Sequence, residues 1–69
     1  MRIEHQGRSA YVLHATHDEL VMISNALNEV CNGVHIDDRE FRTRLSRPRA
    51  DLRKVLGIIG EALRAGDGA

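Results

Sequence analysis

Aromatic side chains are nearly missing from this sequence: Tyr11 and Phe41 are the only two, and there is no tryptophan. With no aromatics interleaved among its basic residues, the chain lacks the stacking platform on which exposed bases are held. Cysteine occurs once, at Cys31, so an intramolecular disulfide is excluded and a reducing compartment is expected. Net charge is missing as well, ten basic residues balancing ten acidic ones, which leaves no overall field to gather nucleic acid or anionic lipid. No apolar run approaches the ~18 residues of a membrane span, and the N-terminus lacks the apolar core of a secretion signal. A cytoplasmic protein without membrane association is the expectation.

What is present is ordinary globular material. Hydrophobic residues make up 42% and charged residues 29%, a balance that argues against disorder. The 69 residues allow one domain, and a chain of this size buries only about 60% of the surface its unfolded form exposes. A large core is excluded, and a partner chain or a homodimer contact is a natural supplement.

The zero net charge hides a segregation along the chain. From Arg39 to Lys54 basic residues outnumber the two acids Glu40 and Asp51, whereas Glu4 to Asp38 is acidic, with Arg8 as its one arginine or lysine.

Residues 1–15 read as two short strands about a Gln6-Gly7-Arg8 turn, where Gly7 supplies the φ > 0 position. The register that gathers Met1, Ile3, Tyr11 and Leu13 on one face puts Arg2, Glu4, Val12 and His14 on the other, and it is the register that buries the apolar set. Thr16 and Glu19 form a capping box, after which Leu20, Ile23, Leu27, Val30 and Cys31 recur at helical spacing. The first helix is expected from about His17 to Asn32, with Gly33 as its C′ residue. Asp37 is a second N-cap, with Glu40 three residues on and Ile36 placed to staple against Phe41; this short helix should end near Leu45 or Ser46. Pro48 fits the first turn of a third helix, whose stripe is Leu52, Val55, Leu56, Ile59, Ala62 and Leu63, stopping at Gly66 before a disordered tail. The fold class is α+β, a single domain over residues 1–66 in the order ββααα, with the first and third helices packed against one sheet face.

Chemistry is hard to place on this frame. His5, His14, His17, His35 and Cys31 show no zinc-like spacing, and Cys31 falls on the apolar side at a helix end, where a thiol is core rather than nucleophile. Asp37 and Asp38 are explained by capping and the helix dipole. No catalytic residue, metal site or cofactor is expected. Arg39, Arg42, Arg44, Arg47, Arg49 and Arg53 span two helices in a manner that superficially suits phosphate contacts, which makes a small nucleic-acid-binding regulator using the Arg39–Lys54 segment the alternative reading, although a solvated basic face is the commoner origin of such a run. Gly57 and Gly60 inside the third helix each cost about 1 kcal/mol relative to alanine, which close approach of a neighbouring helix would offset.

One face remains. Asp18, Met22, Asn25, Glu29 and Asn32 fall opposite the Leu20/Ile23/Leu27 stripe, with Val21 and Asn28 beside them. Asparagine is a poor helix former, and a side that mixes it with apolar residues suits a protein-binding surface, continued by Asp37 and Asp38.

The run DELVMISNALNEVCNGVHIDDREFRTRL, Asp18 to Leu45, resembles small bacterial immunity proteins of contact-dependent inhibition and related polymorphic toxin systems. Glu19, Leu20, Ile23, Asn25 to Gly33, Glu40, Phe41, Arg44 and Leu45 match the family pattern, and Ser46 stands where that pattern has glycine. The resemblance implies a cytoplasmic, non-catalytic protein that binds and blocks a cognate toxin domain, often a nuclease.

Overall fold

The structure is a computed structural model that describes residues 1–33 and 35–67. An antiparallel hairpin is followed by three helices, the ββααα order of a small α+β domain. Strands β1 (Arg2–Gln6) and β2 (Ala10–His14) pair with Ile3 opposite Leu13, Glu4 opposite Val12 and His5 opposite Tyr11. The turn is Gly7-Arg8-Ser9, with Gly7 at φ 69°, a conformation that costs glycine nothing. Met1, Ile3, Tyr11 and Leu13 therefore share a face, and Arg2, Glu4, Val12 and His14 share the other.

The expected packing of that apolar face on the helices is not what forms. Met1, Ile3, Tyr11 and Leu13 are 56%, 59%, 67% and 47% exposed, and among the described residues neither strand packs against a helix. The half-covered positions are instead Glu4 and Val12 on the opposite face, where Glu4 is flanked by Arg2 at 3.1 Å and His14 at 3.2 Å. Among the described residues the hairpin stands off from the helices, joined to the first of them by Ala15 and Thr16 alone. At its root the Met1 α-ammonium meets Glu19 at 2.8 Å.

Helix α1 (His17–Asn28) opens on the expected capping box: Thr16 Oγ1 accepts from the Glu19 amide, and the Glu19 carboxylate accepts from the Thr16 amide. The helix does not run on unchanged to Asn32. It widens into a π-helical turn over Glu29–Gly33, and Gly33 does not take up the positive φ of a C′ residue. A wide turn leaves carbonyls without their usual partners. Here the Cys31 carbonyl accepts from Arg49 Nη1 at 3.1 Å.

Helix α2 (Asp38–Leu45) is capped by Asp37, whose Oδ1 accepts from the Glu40 amide at 2.7 Å. The reciprocal half of the box is absent, because Glu40 pairs with Arg44 at 2.7 Å instead. Helix α2 ends at Ser46, which sits at φ 64° and ψ 1°, the left-handed conformation that glycine adopts most readily. Helix α3 (Arg49–Asp67) follows directly on Pro48 and extends one residue past the expected stop at Gly66; residues 68–69 of the expected tail lie outside those described.

Helices α1 and α3 pack together as the main helical pair. The start of α3 bonds the π turn that continues the C-terminal end of α1, so the two run antiparallel. Only Phe41 and Cys31 are fully buried among the described residues, while Leu20, Ile23, Leu27, Leu52, Leu56, Ile59 and Leu63 are half-buried between the pair. Gly57 and Gly60 do not mark a close helix approach: a Cβ at Gly57 would meet nothing within 4 Å, and one at Gly60 only the tip of Arg64 at 3.4 Å.

Candidate functional site

The capping box fixes where α1 begins and thereby which side chains it turns outward. Asp18, Met22, Asn25 and Glu29 are all exposed and stand one above another on one side of the helix, at spacings of four, three and four. Met22 is 63% exposed. Neither Asp18 nor Asn25 makes a side-chain bond among the described residues. The Glu29 carboxylate folds back over Gly33, so close that a Cβ there would lie 2.6 Å from it. Gly33 is thus a matter of space rather than of backbone conformation.

Asn32 belongs to the same side but is tied down. Its Nδ2 donates to Asn28 Oδ1 at 2.9 Å, and its Oδ1 accepts from Arg53 Nη2 at 3.3 Å. Asn28 is therefore part of this surface through a bond that spacing alone suggests only as neighbourhood. Arg53 also lines a cleft of about 310 Å³ with Asp38, Arg42 and Arg49. The asparagine end of α1 and the acidic start of α2 consequently meet on α3, at Arg53.

Asp37 and Asp38 differ in their work. Asp37 caps α2 and is needed by the fold, whereas Asp38 is 95% exposed, its Oδ1 3.6 Å from Arg49 Nε. Of the seven residues expected on the partner surface, Asp18, Met22, Asn25 and Glu29 form one strip. Asn32 extends it into a hydrogen-bonded network, and the two aspartates stand at a neighbouring helix start.

The arginine segment is largely occupied within the chain. Arg49 is the clearest case: besides Cys31 it donates to the Ile36 carbonyl, and its guanidinium stacks over Phe41. Arg44 pairs with Glu40, Arg47 approaches Asp51 at 3.9 Å, and Arg53 is held by Asn32. Arg39, Arg42 and Lys54 have no ion pair among the described residues. Sequence spacing gave no sign that Arg49 is internal, since the two carbonyls it serves arise from the π turn and the loop after it.

Elsewhere, the Met1 ammonium and then the Thr16 amide hold the Glu19 carboxyl down to about 2. Among the described residues no three His, Cys, Asp or Glu side chains are placed to hold a metal ion, and no helix is long and apolar enough to cross a membrane. The chain matches no protein-family model, and comparisons with curated proteins and with solved structures return no match.

Proposed function

We propose that this protein is a non-catalytic protein-binding module, an immunity-type protein of the cytoplasm that binds and neutralises a cognate toxin domain. The observation that carries the reading is the Asp18/Met22/Asn25/Glu29 strip. It is bounded by the capping box at one end and the Asn28–Asn32–Arg53 network at the other, yet the Asp18 and Asn25 side chains make no bond among the described residues. A mixed strip with two carboxylates, one amide and a methionine offers a basic partner both ion pairing and an apolar contact. The resemblance of Asp18 to Leu45 to immunity proteins supports the same assignment.

The test is a double substitution, Asn25→Ala with Glu29→Ala, made in the chain co-expressed with the product of the adjacent upstream gene. Thermal stability should change by less than about 0.5 kcal/mol, as for exposed helix positions. Affinity for the partner should fall by about 2 kcal/mol or more if the strip is central to the interface. A stable complex that survives the double substitution unchanged would displace the strip from this role, and no complex at all would remove the immunity reading.

A further inference from the structure

Two exposed apolar surfaces lie apart in this fold. The first is the outer face of the hairpin, Met1, Ile3, Tyr11 and Leu13, to which His5 stacks on Tyr11 at 4.9 Å. That face carries no arginine, lysine or carboxylate side chain, so covering it would strip water from no formal side-chain charge. The second lies on the α1–α3 pair. The antiparallel packing of α1 and α3 turns Val55, Ile58 and Ala62 of α3 to the side opposite Asn28, Asn32 and Arg53, and Val55 and Ile58 are 49% and 61% exposed. On that side an open groove of about 440 Å³ is lined by Leu27, Leu52 and Val55, with the charged side chains of Arg47, Asp51 and Lys54 around them.

The magnitude of the exposure says what kind of cover is needed. A compact monomer of 7.7 kDa exposes roughly 4,300 Å² by the usual scaling with mass, whereas this chain exposes 5571 Å². The excess, about 1,200 Å², is of the order that one protomer buries in an obligate dimer. The radius of gyration agrees: 13.7 Å against about 11 Å for a compact domain of this length. With two residues fully buried among those described, the chain alone lacks the second packed layer that a domain requires. A cover that the fold itself depends on must be present whenever the chain is made, which a second copy satisfies and a later partner does not. Copies of zero net charge also approach without mutual repulsion.

We infer that the protein is a two-fold homodimer in which the hairpin of each copy lies with its Met1/Ile3/Tyr11/Leu13 face across the Val55/Ile58 side of the other copy's α1–α3 pair. This reciprocal exchange buries both apolar surfaces in one self-complementary interface, whereas hairpin against hairpin would leave Val55 and Ile58 open. The interface lies away from Asn28, Asn32 and Arg53, and it stands independently of the toxin-binding proposal.

Sedimentation equilibrium of the unmodified chain over a concentration series tests it, together with thermal melts at the same concentrations. The expected results are a species of twice the 7.7 kDa chain mass and a melting temperature that rises with concentration. Leu13→Lys on the hairpin and Ile58→Lys on α3 should each raise the dissociation constant by at least about tenfold, while Asn25→Ala/Glu29→Ala should dimerise as the unmodified chain does. A monomer with a concentration-independent melt at every concentration overturns the dimer. Dissociation by Leu13→Lys but not by Ile58→Lys overturns the hairpin-on-helix arrangement.

Discussion

The guanidinium of Arg49 lies 4.7 Å from the centre of the Phe41 ring, and from that position it donates to the carbonyls of both Cys31 and Ile36. One side chain thus joins the centre of the π turn, the loop after it and the core of α2. Arg49→Ala should cost about 2–4 kcal/mol, as expected for two charge-assisted bonds and a partly desolvated cation–π contact. Arg49→Lys should recover less than half of this, because a single ammonium cannot span both carbonyls as the planar fork does. Chemical denaturation of the two variants beside the parent measures both values.

Ser46→Gly should stabilise the protein by about 1 kcal/mol. The residue occupies a left-handed conformation that costs a side-chain-bearing residue about 1–2 kcal/mol and glycine almost nothing. In a domain of this size the melting temperature should rise by about 4–8 °C, and an unchanged melt would mean that Ser46 relaxes its backbone by other means.

Gly57→Ala should also stabilise, by about 1 kcal/mol, because the position is interior to α3 and an added methyl group meets open space. A clear loss of stability would show that the glycine is pressed against a second chain.

Glu19 sets a pH dependence whose sign follows from its depressed folded value. The carboxyl titrates near 2 in the fold and near 4.5 when unfolded, so its stabilisation is fully present above about 4.5 and is lost as pH falls from there toward 2. The melting temperatures of the parent and of Glu19→Gln should differ most at neutral pH, draw together below about 4.5, and coincide near 2.

Local signals were legible because they act over a few residues. Thr16 with Glu19, Asp37 with the Glu40 amide, and the alternation of Ile3 and Tyr11 each specify their own turn or register, and the structure keeps all of them. What spacing could not supply was the choice among competing partners. Glu40 has two uses within reach, its own helix start and Arg44, and the second wins. Leu13 and Val12 alternate as in any half-buried strand, but alternation does not say whether the covering layer comes from the same chain. The strip Asp18, Met22, Asn25 and Glu29 was legible from helical period alone. Asn28 was legible only as a neighbour of the strip, and Arg53 entered the surface through the wide turn that carries Asn32 toward α3; such a change in helical pitch leaves no mark in composition.

Cys31 is the chain's single thiol and is 0% exposed, at the centre of the π turn. An alkylating reagent can therefore reach sulfur only when that turn comes apart, and each molecule can react once. Where reclosing outpaces the reagent, the labelling rate divided by that of a free thiol is the equilibrium constant for opening. Labelling at the rate set by global unfolding would place the π turn in the last part of the molecule to yield; faster labelling would make it a separately opening segment. The protein carries its own clock for the region where α1 hands over to α2, without a probe being added.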